Sequence, residues 1–193
     1  LSGGIFAGLA LLKVNFFFMP IALSILWAIS RSTFYSFLWG LSAVLVSHSW
    51  LLALHPLDWL GISLTKSLFF SISIWLSCGF LGGLLVCCWS FIGKFVRSFL
   101  FLNNNVDAFQ TIAYALLMSS TWGIFEVFLS ESPLFWIGLG SSLLPGDIWL
   151  AGVARWFGAG GLATIELIFS WWLWRVYLNS KKRILFNSFF FKG

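Results

Sequence analysis

Long stretches free of charge divide this chain into segments. From Ser67 to Gly93, twenty-seven residues pass without an Asp, Glu, Lys or Arg, and comparable runs lie on either side. Charges and turn residues separate six apolar segments: Ser2–Leu12, Phe16–Ser30, Phe34–Leu54, Ser67–Ile92, Ala108–Leu129 and Trp149–Tyr177. A bilayer core roughly 30 Å thick takes about twenty apolar residues per helix, whereas a helix in a water-soluble domain rarely excludes charge for so long. The pattern predicts an all-α, polytopic transmembrane bundle of about six helices. The first segment is short for a crossing. The second is near the lower limit and begins around Met19-Pro20, where proline is compatible with an opening turn. Leu rather than Met stands first, so the expectation is that sequence preceding the first helix is missing.

The connections are Lys13-Val14-Asn15, Arg31-Ser32-Thr33, His55-Pro56-Leu57-Asp58-Trp59-Leu60-Gly61, residues 94–107 with Asn103-Asn104-Asn105, and a Pro- and Gly-rich stretch over residues 130–148. None has room for a soluble domain. Residues 1–180 read as one transmembrane helical domain, and 181–193 as a basic cytoplasmic tail or the start of a truncated seventh helix. Lys and Arg near helix ends favour the cytoplasmic side. The even connections and the C-terminal stretch carry eight of them (Arg31, Lys94, Arg97, Arg175, Lys181, Lys182, Arg183, Lys192), and the odd connections three (Lys13, Lys66, Arg155). Both termini are therefore expected in the cytoplasm, with the odd connections outside.

Composition agrees with the pattern. The 193 residues are 60% hydrophobic and 9% charged, with a mean hydropathy of +0.97, against about 25% charged in soluble domains. The net charge of +5 comes from dispersed cations and not from a basic face with interleaved aromatics, so nucleic acid is not implied. Thirteen Trp and twenty-three Phe suit lipid-facing surfaces and interface belts.

Few residues could carry chemistry. Glu126 closes the run Trp122-Gly123-Ile124-Phe125-Glu126 near the outer end of helix 5, where an ionisable group costs a few kcal/mol unless it faces protein or water. It reads either as a functional group or as an interfacial carboxylate reaching headgroup water. Glu166 lies deeper and calls for a partner on a neighbouring helix, and the small residues Gly158-Ala159-Gly160-Gly161 before it would let that helix come close. His48 and His55 are two turns apart and would project from similar faces of helix 3, but two histidines without a third ligand make no persuasive metal site. Cys78, Cys87 and Cys88 share one apolar run and read as packing residues. No metal or other cofactor is expected, and no Gly-x-Ser-x-Gly nucleophile motif is present.

The ordered set of segments resembles the membrane region of apolipoprotein N-acyltransferases. A short first helix leads into Phe16-Phe17-Phe18-Met19-Pro20. Phe37-Leu38-Trp39-Gly40-Leu41 is followed by Ser49-Trp50-Leu51-Leu52-Ala53-Leu54-His55. Trp122-Gly123-Ile124-Phe125-Glu126-Val127-Phe128 precedes Phe135-Trp136-Ile137-Gly138, similar to the family's helix 5 ending in Glu and its Phe-Pro-Trp loop, although here the proline, Pro133, comes before the aromatic pair. Leu150-Ala151-Gly152-Val153-Ala154-Arg155-Trp156 resembles the segment that leads into helix 6.

The resemblance implies transfer of an acyl chain from a phospholipid donor to the N-terminal amine of a diacylglyceryl lipoprotein, in a multi-pass protein of the bacterial inner membrane. It places the family's catalytic Glu, Lys and Cys in an external nitrilase-like domain beyond a seventh helix, a domain expected to be missing here and to act, if at all, as a separate partner. None of the three cysteines sits in a matching motif, so the chain is expected not to be catalytic by itself. Trp50, His55, Glu126 and Trp136 are expected to rim a lateral lipid cavity at the outer surface. Two other readings stand beside this one: a non-enzymatic membrane scaffold or degenerate gene product, and a small transporter, toward which only Glu166 points.

Overall fold

Each of the six apolar segments contains a helix in the computed structural model, in which residues 1–12, 17–101, 107–131, 138–141 and 148–190 are described. The helices are α1 (Ser2–Leu11), α2 (Phe18–Ile29), α3 (Thr33–Ser47), α4 (Leu64–Leu100), α5 (Ala108–Ser130) and α6 (Ile148–Phe190). No strand occurs among the described residues, so the fold is an all-α bundle. Local chemistry sets several of the ends. Pro20 sits in the first turn of α2, where its missing N–H costs nothing. Ser32 caps α3 by accepting the Tyr35 N–H at 3.4 Å. Asp107 and Gln110 form a reciprocal capping box on α5.

α4 and α5 are each long and apolar enough to cross a membrane, at 37 and 23 residues. α1, α2 and α3 are shorter apolar helices. Packing joins neighbours in a closed circuit, α1 against α3, α3 against α4, α4 against α5, α5 against α6, α6 against α2 and α2 against α1. α6 is interrupted at Gly158, whose φ of 63° lies in the left-handed region open to glycine. Beyond Tyr177 it continues as helix to Phe190.

Besides α6, two helices differ in extent from the sequence expectation. α4 runs past both bounding cations, taking in Lys66, Lys94 and Arg97, because long basic side chains can leave their stems on a helix and carry the charge to water. The third apolar segment is not one helix: α3 stops at Ser47, and Ser49–Leu54 forms a 3₁₀ turn. His48 and His55 therefore do not share a helix face. His48 Nδ1 lies 2.9 Å from Ser47 Oγ, and His55 Nδ1 lies 2.9 Å from Ser67 Oγ on α4.

α4 displays the solvent most plainly. Its buried positions are Ser67, Ser71, Gly79, Gly82, Gly83, Val86, Trp89, Ser90 and Gly93, nearly all small. Its exposed positions include Phe69, Phe80, Phe91, Phe95 and Phe99. Small inside and aromatic outside is the reverse of a helix in water, and is what a hydrocarbon surround with closely approaching backbones produces. A Cβ added at Gly83, for example, would meet the Phe37 ring at 2.6 Å.

The tryptophans divide between surface and interior. Trp50 and Trp59 are exposed in the α3–α4 connection. Trp27, Trp39, Trp89 and Trp122 are buried instead, and the first three join helices through their indole N–H groups. Trp27 Nε1 donates to the Leu167 carbonyl at 2.9 Å, Trp39 Nε1 to Ala22 at 3.1 Å and Trp89 Nε1 to Met118 at 2.9 Å. Trp89 meets Trp27 and Trp122 edge-on, with ring centroids 5.3 and 6.0 Å away. Trp89→Phe keeps a ring in place but deletes the link to α5, and is expected to lower stability by about 1 kcal/mol in denaturant titration.

Candidate functional site

The C-terminal half of α5 meets α6 through glycine. A Cβ at Gly123 would stand 2.6 Å from the Gly160 carbonyl oxygen, and one at Gly160 would stand 2.5 Å from that of Gly123. The two backbones are thus in reciprocal contact, the small-residue crossing that packing in lipid favours. Thr164 ties the seam further, its Oγ1 donating to Gly160 O at 2.9 Å and approaching Ser119 O at 3.3 Å.

One turn further along α5, Glu126 turns inward and is buried. Its carboxylate accepts three N–H groups: the Leu139 backbone at 2.5 Å and the Gly140 backbone at 3.3 Å, and Trp122 Nε1 from its own helix at 3.2 Å. Leu139–Ser141 forms a single 3₁₀ turn, and this turn packs on α6. Gly140 is required there, since a Cβ would collide with the Ala159 carbonyl. Glu126 therefore fastens the turn within the α5–α6 connection to the end of α5. Three donors converging on one carboxylate satisfy what would otherwise be a costly buried charge.

On the outside of the same seam, the missing side chains of Gly123, Gly160 and Gly161 leave a lateral groove of about 330 Å³, walled also by Ile124, Val127 and Phe128. It is almost wholly apolar, with Ser120 and Thr164 as its polar residues. Chemically it can take a hydrocarbon chain and little else. Gly160 and Gly161 belong to the small-residue run before Glu166, a close-packing surface by sequence; its pairing with Gly123 across the helix interface comes from the fold.

The other expected rim residues are spread out. Trp50 lies in the 3₁₀ turn after α3, more than half exposed, its ring 6.2 Å from that of His48. His55 is half-buried against α4, where Ser67 Oγ also accepts the Leu57 backbone N–H at 2.8 Å. The donors to Glu126, by contrast, come from Trp122 of its own helix and from Leu139 and Gly140. Trp136 lies outside the described residues, as do Lys13 and Pro133. Glu166 is buried on α6. Cys78 and Cys87 are half-buried on α4 and Cys88 is exposed there.

The chain is similar over nearly its whole length to part of several larger proteins. It is 48% identical over 180 residues to an apolipoprotein N-acyltransferase of Prochlorococcus marinus strain SARG, a match covering 93% of this chain and 36% of that protein. It is 44% identical over 193 residues to the protein of that name from Prochlorococcus marinus subsp. pastoris, covering 99% of this chain and 38% of that one. With that of Parasynechococcus marenigrum it shares 42% identity over 181 residues, 94% of this chain and 37% of the relative. The chain thus spans somewhat over a third of the length of the curated relatives it matches. No family model matches it, and no solved structure shows a significant match.

Proposed function

Because the chain is a relative of the apolipoprotein N-acyltransferases along somewhat over a third of their length, we infer that it is the membrane portion of such a protein and seats the acyl chains of lipid substrates beside the site of transfer. The observation that carries this reading is the groove on the α5–α6 seam. It opens where Glu126 anchors the following turn, so a chain lying in it would bring its headgroup to that end of the bundle. Each methylene moved from water into such a site is favourable by about 0.8 kcal/mol, but a lipid gives up no water on leaving the bilayer. The groove would select by shape and hold the chain in place, which is the contribution to rate that positioning can make.

On this reading the chemistry belongs to a nitrilase-like domain outside this chain. A phospholipid is the donor and a diacylglyceryl lipoprotein the acceptor. The protein crosses the bacterial inner membrane several times with both termini in the cytoplasm, in keeping with the eight-to-three split of cations. Trp50, His55, Glu126 and Trp136 remain the proposed rim, with the Trp rings at interface depth and Glu126 holding the turn that shapes it.

Photolabelling of the chain in lipid bilayers tests the reading. A phospholipid carrying a diazirine on its acyl chain is expected to label residues 120–128 and 160–164 several-fold more than the outer phenylalanines of α4. Labelling no greater on the seam than on α4 removes the acyl seat and leaves a helical scaffold.

A further inference from the structure

At the opposite end of α5 lies a second and larger cavity, of about 520 Å³, into which Arg31, Arg97 and Arg175 all project from different parts of the fold, the end of α2, α4 and α6. Among the described residues no Asp or Glu lines it. The preference for cations on one side of a membrane accounts for arginines at this end of the bundle. It does not account for three of them on one concave wall, while Lys94 and Lys181 of the same end stay out of it.

Two of the guanidinium groups are held against aromatic rings. Arg97 donates from Nη2 to the Tyr114 hydroxyl at 3.0 Å, with its guanidinium carbon 4.9 Å from the centre of that ring. Arg175 lies over Trp171 at 5.9 Å. Tyr114 is itself buried, edge-on to Trp27 at 6.2 Å. Stacking orients these two forks without neutralising them, and with Arg31 and Arg175 exposed and Arg97 half-buried the cavity presents its positive charge to an entering anion. Like charges gathered in this way repel unless an anion joins them. Arginine in place of lysine points to an anion with several oxygens in a plane or tetrahedron, which the fork grips with two bonds.

We propose that this cavity is a binding site for a phosphate-bearing anion, either the phosphodiester headgroup of an anionic phospholipid or a free phosphate ester. It is separate from the acyl groove, since Tyr114 and Gly123 are nine residues apart on α5, roughly 13 Å at the helical rise. It therefore stands whether or not the seam seats acyl chains.

The test is titration of the full chain in neutral detergent, read by the fluorescence of the tryptophans lining the cavity. The probes are phosphatidylglycerol, phosphatidylcholine and inorganic phosphate. Phosphatidylglycerol is expected to give a saturable, salt-sensitive change at least tenfold tighter than phosphatidylcholine. Arg97→Gln and Arg175→Gln should each weaken it about tenfold, while Lys66→Gln, away from the cavity, leaves it unchanged. Arg31→Gln, at an exposed helix end, gives the same readout with the least disturbance of packing, and circular dichroism verifies that each variant is folded. Full displacement of the lipid by millimolar inorganic phosphate supports the site and assigns it to the free anion. Equal binding of the two lipids, or folded arginine variants that bind like the parent, overturns it.

Discussion

Gly160→Leu forces α5 and α6 apart and lowers stability by about 3 kcal/mol or more in a denaturant titration in mixed micelles. The expectation rests on what the new side chain meets. Its Cβ alone would stand 2.5 Å from a backbone oxygen, that of Gly123, and a backbone oxygen in a helix cannot rotate aside as a side chain can. Helix propensity acts the other way, since leucine is a better helix former than glycine by about 0.8–1 kcal/mol. Gly152→Leu on the same helix, where nothing lies within 4 Å of an added Cβ, collects that gain without the collision and is expected to be neutral or slightly stabilising. A Gly160→Leu protein as stable as its parent would mean that the two helices do not touch along this seam.

Glu126→Ala should cost about 2–4 kcal/mol, because it leaves two backbone N–H groups and one indole N–H without their shared acceptor. Each orphaned donor is worth about 1–3 kcal/mol, but the turn at Leu139–Ser141 can swing toward water, so the loss falls below the sum. Hydrogen exchange at the Leu139 and Gly140 amides isolates the effect. Both are expected to be slow in the parent and at least tenfold faster in the variant. Glu126→Gln keeps an acceptor oxygen but turns an NH₂ toward another donor, so partial protection is expected. Unchanged exchange in the alanine variant would show that the turn is held by something else. In a complete relative the corresponding alanine should also reduce lipoprotein acylation; full acylation there would confine Glu126 to a structural part.

Much of the architecture is legible without coordinates, for a physical reason. Exclusion of charge over the length of a bilayer is a one-dimensional signal, so α4 and α5 could be read from composition along the chain. The end of α3 could not. Phe34–Leu54 is uniformly apolar and has no proline, and its break at His48 accompanies contacts far away in sequence, such as the link from His55 to Ser67. Nor does hydropathy tell a tryptophan in an interface belt from one that joins two helices. Trp89 is set inside by the Met118 carbonyl opposite it, which only the folded chain supplies. Glu126 stood out from the sequence as an ionisable group near the hydrocarbon edge, but its partners did not, because backbone N–H groups have no residue type to announce them. The arginine-lined cavity went unread for a related cause. In the sequence Arg31, Arg97 and Arg175 are separate topology signals, and their convergence arises only when α2, α4 and α6 are packed.

The small-inside, aromatic-outside arrangement of α4 inverts the usual map of mutational tolerance. In a protein folded in water, divergence among descendants collects on the outside and the interior is held nearly fixed by volume. Here the inner face is small and tight, so that an added methyl at Gly83 would meet the Phe37 ring at 2.6 Å and the Phe37 carbonyl oxygen at 3.0 Å, whereas Phe95 or Phe99 can become leucine at little cost to the packed state. Drift on this helix should therefore be written in exchanges among large apolar residues, and hydropathy alone would register no change while the outer surface was being rewritten.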